Sequence, residues 1–480
     1  MRVAILGAGT FGELLAEHLR YEQYDAFLIE KDPEIARAVS ERSGTLVETG
    51  DGTRRSVLLN WVIDHVDAFV AVTGSDEINM VTCGLVANAA KRPIVKIARI
   101  RRSSYISGLE DNPSFFGIDH VLNPDLEAAQ TVIRSLEHGA VSEVIPFDET
   151  GFVLRDLPLS ETSRFNGKML ADIRRETGLT YLIAAIHKHG REFLVPTGTT
   201  CVTAGDRLYV VCEPDTYVQL LQYEGTRPDS REQHYGQFDR VLIMGAGILG
   251  LSVARHCLTT RRSPEESVLS RLRTRFRKRL VERVTIVDRD RNRCNAARDL
   301  FPDATIINTD IRDERRLGSA IYRRHDVLVA ATGNEELNMI GALYAKSRGT
   351  PRAITLLTHA GYGSIARSLG IDVPVSVRTT MANTVTRLVK RHAIRNIHAI
   401  PGSDISAVEM EVGRNAQLND KPLSKRILPR DTLVSIVTRN GTSFIPAGDT
   451  VLSTGDRIVV VSRNDSLRQV IRKTTGLDTF

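Results

Sequence analysis

The sequence predicts an α/β protein in which a doubly wound parallel-sheet domain and a smaller α+β domain each occur twice, in the order A-B-A′-B′. A repeated opening is the first observation. Val3 to Gly12 is a short apolar run followed by G-x-G-x-x-G at Gly7, Gly9 and Gly12, and Val241 to Gly250 does the same at Gly245, Gly247 and Gly250. A trailing pair is the second. Phe193 to Val211 and Ser443 to Val461 share a Pro-x-Gly turn, then Gly-Asp-Arg leading into an apolar strand. Register is the third: Pro196 and Asp206 match Pro446 and Asp456 at an offset of 250, whereas Gly7 matches Gly245 at 238. Glu30 then matches Asp288 at 258, and Asp51, Thr73 and Asn79 match Asp310, Thr332 and Asn338 at 259. Matches at strand ends and loops in a fixed register indicate duplication. The jump in offset places an insertion in the second copy between its glycines and its next strand.

These landmarks divide the chain into a first large lobe at 1–140 and a small lobe at 141–223. A second large lobe follows at 238–397, with its insertion at about 261–283, and a second small lobe at 398–480. The polar stretch from Glu224 to Gln233 reads as the linker. With 480 residues, 42% hydrophobic and 25% charged, the composition is that of a globular protein of several domains. No apolar run approaches the roughly 20 residues that span a bilayer. A strand starting near residue 2 leaves no room for a signal peptide, so a cytosolic protein is expected. Cys83, Cys201, Cys212, Cys257 and Cys294 are scattered without zinc spacing and read as reduced thiols.

In the first lobe, strand Val3 to Leu6 leads through the glycines into a helix with apolar Leu14, Leu15 and Leu19, and the next strand, Ala26 to Ile29, stops at Glu30. Strand, glycines, helix and an acid 18 residues on form a Rossmann-like dinucleotide fingerprint. The turn Gly7-Ala8-Gly9-Thr10-Phe11-Gly12 is expected to place free N–H groups and the positive end of the helix dipole at a diphosphate. A carboxylate at Glu30 accepts from a ribose diol and repels a 2′-phosphate, favouring NAD or unmodified adenosine over NADP. Ligands in open α/β sheets lie at the carboxyl ends of strands. Asp51 is therefore expected near an adenine, Thr73-Gly74 near ribose and phosphate, and Arg99 at the phosphates. Arg101 and Arg102 read either as additional phosphate contacts or as solvated surface.

The second lobe keeps Gly245, Gly247, Gly250, Asp288, Asp310 and Thr332-Gly333. Carrying the offset of 259 onward maps Lys96 to Thr355, Arg99 to Thr358 and Arg101 to Ala360. On that register the second pocket has lost its basic wall, and should bind phosphates more weakly, prefer another nucleotide or stand empty. The small lobes share strand positions plus Pro196/Pro446, Gly198/Gly448 and Gly205-Asp206/Gly455-Asp456, which is turn chemistry. His187 and His189 have polar counterparts around Thr438 and read as surface histidines. No catalytic residue and no metal ligand is assigned. Nucleotide binding without a proton donor beside it reads as sensing.

The layout together with GAGTFG, Glu30, Gly50-Asp51, Thr73-Gly74 and Ala98-Arg99 resembles the TrkA-type potassium-uptake regulators, which join two RCK (KTN) nucleotide-binding lobes to two small RCK C-terminal lobes. The resemblance covers nearly the whole chain. It implies a non-catalytic cytoplasmic subunit, peripheral on the inner face of the plasma membrane, forming a homo-oligomeric ring (dimer or tetramer) under a TrkH-type potassium-translocating membrane protein. It also implies gating by NAD(H) or by ATP/ADP, and no nucleic acid. The family contacts carry over to Gly7, Gly9, Gly12, Glu30, Asp51, Thr73, Gly74 and Arg99, and in the second lobe to the glycines and Asp288. The competing readings are an NAD-dependent oxidoreductase, for which the small lobes lack a Lys/His/Asp cluster, and a redox-responsive nucleic-acid-binding regulator, for which only the insertion is basic. In that insertion Val268, Leu269, Leu272, Phe276 and Leu280 recur at helical spacing among Arg271, Arg273, Arg275, Arg277, Lys278 and Arg279. It reads as a basic amphipathic helix, either solvated, or touching anionic lipid or the membrane partner, or contacting nucleic acid.

Overall fold

The computed structural model describes residues 1–22, 24–63, 65–106, 115–137, 144–147, 150–189, 191–224, 238–258, 283–359, 361–389, 394–400, 403–425 and 427–476. The expected linker and the basic insertion lie outside the described residues, apart from Glu224 and Arg283 at their edges.

The first large lobe contains strands β1 (Arg2–Leu6), β2 (Asp25–Glu30), β3 (Val47–Thr49), β4 (Ala68–Ala71), β5 (Val95–Arg99) and β6 (His120–Leu122). They form one parallel sheet in the order 3-2-1-4-5-6. Helices α1 (Thr10–Tyr21), α2 (Pro33–Ser43), α3 (Arg55–Trp61), α4 (Asp76–Ala89) and α5 (Pro124–Glu137) alternate with them. The first small lobe folds β7 (Val144–Pro146), β8 (Val153–Pro158), β9 (Tyr181–Lys188), β10 (Glu192–Leu194) and β11 (Arg207–Cys212) into an antiparallel sheet with α6 (Leu170–Thr177) and α7 (Pro214–Glu224).

The second large lobe repeats the order with β12 (Arg240–Met244), β13 (Arg283–Asp288), β14 (Thr305–Asn308), β15 (Val327–Ala330), β16 (Arg352–Leu357) and β17 (Val373–Ser376). Its helices are α8 (Ile248–Leu258), α9 (Arg291–Leu300), α10 (Glu314–Arg323), α11 (Glu335–Ser347), α12 (Tyr362–Ser368) and α13 (Val377–Val389). The second small lobe holds β18 (Ile394–Ala399), β19 (Ile405–Glu411), β20 (Thr432–Arg439), β21 (Thr442–Phe444) and β22 (Arg457–Arg463), followed by α14 (Asn464–Thr475). Because β18 pairs with β19, the second small sheet begins upstream of residue 398.

By their contacts the lobes group into two compact units, one of the two large lobes (Met1–Ser142 and Gly236–Val389) and one of the two small ones (Glu143–Tyr235 and Lys390–Phe480). Inside the large unit the last helix of each lobe is exchanged. Ala128, Ala129, Val132, Ile133 and Leu136 of α5 are buried with Val241, Ile243 and Leu249 of the second lobe. Met381, Ala382, Val385 and Val389 of α13 are buried with Val3, Ile5 and Leu15 of the first. Thr384 Oγ1 donates to Glu127 Oε2 at 2.6 Å where the exchanged helices cross. Burying an aliphatic side chain stabilises by about 1.5–3 kcal/mol, so neither large lobe completes its core without the other.

In the small unit, Phe152, Leu154, Tyr209 and Val211 of one sheet share a core with Ile405, Ala407, Ile436 and Val459 of the other. The shared Gly-Asp turns are built alike. Asp206 accepts from Thr203 N (2.8 Å) and Lys188 Nζ (2.6 Å), and Asp456 from Ser453 N (2.8 Å) and the Arg439 guanidinium (2.9 and 2.5 Å). His189 bonds Thr203 Oγ1 at 3.1 Å and lies 3.6 Å from Asp206. The first small lobe does therefore gather a Lys, a His and an Asp, contrary to the expectation from sequence, but as the ties of a turn. His187, on β9, stacks on Phe193 at 4.1 Å. All five cysteines are free thiols, and burial pushes those of Cys83, Cys212 and Cys257 up to about 12.

Candidate functional site

The sheet order reverses between β1 and β4 in the first lobe and between β12 and β15 in the second, and a crevice opens at that point in each. The two crevices merge into one cleft of about 1570 Å³ lined by both glycine turns. Gly7 (φ 105°) and Gly245 (φ 112°) occupy the left-handed region that the tight turn needs. A Cβ at Gly12 would stand 1.9 Å from Gly7 O, and one at Gly250 the same distance from Gly245 O, so the third glycine is required for helix to pack on strand. At Gly9 and Gly247 a Cβ would meet nothing within 4 Å, which leaves the turn open for a ligand to approach the backbone.

The acids close these turns. Glu30 Oε2 accepts from Ala8 N (2.8 Å), while Oε1 accepts from Lys31 N (2.9 Å) and Asp32 N (3.1 Å). Asp288 does the same with Ala246 N (2.7 Å) and Asp290 N (2.8 Å). Each carboxylate is thereby fixed at the end of its strand, where Glu30 and Asp288 both line the cleft.

At the ends of β4 and β5, Asn79 is fully buried and ties the strands together. Its Oδ1 accepts from Thr73 N (2.9 Å) and Thr73 Oγ1 (2.8 Å), and its Nδ2 donates to Arg99 O (2.8 Å). Asn338 repeats this with Thr332 N (2.9 Å), Thr332 Oγ1 (2.6 Å) and Leu356 O (3.1 Å). Asp76 accepts from Arg101 N and Arg102 N, both at 2.9 Å, and Glu335 from Thr358 N (2.7 Å) and His359 N (3.0 Å).

These bonds correct the register. Asn79 holds Arg99 where Asn338 holds Leu356, so Arg99 corresponds to Leu356, Arg101 to Thr358 and Arg102 to His359. Strand pairing agrees: Ala68 faces Val95, but Val327 faces Arg352, which also places Lys96 opposite Ala353 rather than Thr355. The second copy is two residues shorter between β15 and β16, and the constant offset misses this. The arginine wall beyond β5 is absent from the second lobe, yet the cleft there is not short of cations. Arg289, Arg293 and Arg312 line it at the ends of β13 and β14, where the first lobe has Lys31, Ile35 and Thr53. Positive charge has moved from one side of the crevice to the other.

Arg99 Nη2 donates to Thr73 O (2.6 Å) and its guanidinium lies 5.9 Å from the Phe11 ring, but its Nε is buried without a partner. Burial pushes Arg99 down to about 10, with Arg101 adding to the effect. Asp51 accepts from Thr53 N (3.0 Å) and Oγ1 (2.7 Å), chiefly the hydroxyl bond holding its carboxyl below the usual range. Asp310 instead takes a bidentate bond from Arg312 (2.9 and 2.6 Å), which holds it lower still. Of the expected contacts, Thr10, Phe11, Gly74 and Thr332 also line the cleft; Ala8 faces away and contributes its N–H to Glu30, and Gly250 serves packing. Open glycine turns, fixed acids and an unpartnered buried guanidinium nitrogen fit an anionic nucleotide.

The TrkA-N domain model matches residues 3–124 and 266–377, and the TrkA-C domain model residues 154–224 and 407–474. The chain belongs to the TrkA family. The Trk system potassium uptake protein TrkA homolog of Archaeoglobus fulgidus is 28% identical over 474 residues, 98% of this chain and 99% of its own. TrkA homolog 1 of Methanosarcina mazei is 26% identical over 475 residues, covering 98% and 99%. Among solved structures, the GsuK RCK domain superposes with a TM-score of 0.50 at 16% identity, covering 98% of this chain and 94% of that one. The GsuK channel gives 0.51 at 17%, covering 98% and 78%. At such identity the likeness to these structures is one of fold. The second TrkA-N match starts at residue 266, past the glycines at 245–250.

Among the described residues no helix is long and apolar enough to cross a membrane, and no cluster of His, Cys, Asp and Glu is built to hold a metal.

Proposed function

We propose that this chain is a cytoplasmic, non-catalytic regulatory subunit of a potassium uptake system, gating a TrkH-type membrane-embedded translocating subunit in response to NAD(H) or ATP/ADP. Its curated relatives carry the name of that system over nearly their whole length. The observation that carries the nucleotide part is the single cleft in which two glycine turns, each with its strand-end acid, face each other across exchanged helices. When bound, the nucleotide supplies negative charge and a ribose diol. Glu30 accepts the diol, the Gly7–Gly12 turn and the N-terminus of α1 donate to phosphate, and Arg99 Nε finds the acceptor it lacks.

Since α13 is anchored in the first lobe and α5 in the second, closing a turn around a ligand shifts one lobe relative to the other. A ligand moves such an equilibrium only by binding one arrangement better, and several copies in a ring would pass that shift to the membrane subunit. The test is rubidium uptake by host cells lacking this chain. Complementation with wild type should restore nucleotide-dependent uptake, and Glu30→Ala with Arg99→Ala should not. Uptake indifferent to deletion, or restored equally by the double variant, would sink the proposal.

A further inference from the structure

The exchanged helices bring a side chain of each lobe to the glycine turn of the other. Helix α13 packs beside α1 in the core of the first lobe. On both helices the residues lining the cleft come from the N-terminal end, Thr10, Phe11 and Gly12 on α1, Val377, Arg378 and Met381 on α13. The two helices therefore lie side by side with their N-termini together. Arg378, second residue of α13, thus comes to the cleft from the helix that packs beside α1 of the first lobe, although it belongs to the second lobe. Among the described residues no hydrogen bond or ion pair engages its guanidinium. By the same reasoning α5, packed beside α8, brings Asp125 to the cleft on the side of the turn at Gly245–Gly250, within electrostatic reach of Arg101. Asp125 and Arg378 occupy equivalent positions, each the second residue of the helix that follows its lobe's last strand, and they carry opposite charges.

We propose that Arg378 is a phosphate-binding residue of the first lobe's nucleotide site, donated by the second lobe, and that Asp125 is its inverse, excluding highly charged phosphates from the second lobe's site. This rests on the nucleotide reading above and adds which charge state each site takes. At the first turn Arg99 Nε lacks a partner, Arg101 lines the cleft, and Arg378 supplies a third guanidinium; at the second, Leu356, Thr358 and Asp125 stand in their places. The first site is suited to a nucleoside di- or triphosphate, the second to a ligand of low charge at that end. A triphosphate bound in the first lobe would pull on α13, so the same contact links ligand charge to the arrangement of the lobes.

Calorimetry of the full chain with ATP, ADP and AMP tests this. Arg378→Ala should weaken ATP by about tenfold, as loss of a charge-assisted phosphate contact does, while leaving AMP within about twofold. Arg378→Lys should recover most of the ATP affinity, which a merely structural role would not predict from charge alone. In a Glu30→Ala background, which disables the first site, Asp125→Asn should raise ATP affinity at the second. If wild type binds none of the three, the nucleotide reading fails and this inference with it. If wild type binds but Arg378→Ala leaves the ATP-to-AMP ratio unchanged, the inference alone is overturned.

Discussion

Asn79 and Asn338 each hold the ends of two strands in their lobe; Asn338 also lines the cleft, whereas Asn79 acts only through the strand ends it ties. A buried amide that loses its partners leaves Thr73 N and Arg99 O unpaired, at about 1–3 kcal/mol for each stranded group. Asn79→Ala is therefore expected to lower stability by roughly 2–6 kcal/mol in a urea melt and to loosen nucleotide binding through misplacement of Thr73 and Arg99. Gly12→Ala is the harsher change, because its methyl group would stand 1.9 Å from Gly7 O; it should abolish binding, read by the same calorimetry, with α1 displaced. Two further residues set a pH dependence. Burial raises the Asp206 and Asp456 carboxyls, but the bonds from Lys188 and Arg439 and from the turn amides outweigh it, and both are held below the ordinary value. A depressed folded pKa contributes stability above the unfolded value and loses it as pH falls through the folded one. The melting temperature should drop steeply below about pH 4, and less steeply in Asp456→Asn.

At this scale much of the site was legible. Glycines, acids and the Thr-Gly ends announced themselves by matching between copies, and the matched asparagines were a signal for the strand-end bonds. Arg99's counterpart was not legible, since a two-residue shortening in a turn leaves no motif, and it takes the asparagine bonds and the strand pairing to expose it.

At the scale of elements, α5 and α13 each follow the last strand of their own lobe, and chain order alone would assign each to the lobe it ends. Periodicity tells which face is buried but not which sheet buries it. The sheets, their parallel order and the small antiparallel lobes follow from pattern and spacing; the exchange follows from packing across the pseudo-symmetric interface. It carries a prediction. Val385 is fully buried in the first lobe's core although it belongs to the second lobe's chain segment. Val385→Ala should cost roughly 1–3 kcal/mol and speed amide hydrogen exchange in β1 and β4 of the first lobe more than in β12 and β15 of the second. Faster exchange confined to β12 and β15 would contradict the exchange of helices.

For the molecule as a whole, duplication has produced two candidate sites that share a cleft but not a charge pattern. The first concentrates arginines beyond β5, the second beyond β13 and β14, and the exchanged helices add Arg378 to one and Asp125 to the other. Identical sites would respond to one nucleotide together, whereas sites differing in charge can report the ratio of a triphosphate to a less charged ligand. Salt should expose the difference, because screening weakens charge-dependent binding more than binding to a diol: raising ionic strength should reduce ATP affinity more than NADH affinity. Calorimetric titration of the intact chain with ATP, before and after Arg99→Ala, bears most directly on the central claim of a charge-reading first lobe. One tight site that is lost in the variant is the predicted result; two sites of equal affinity, or binding untouched by the substitution, would contradict it.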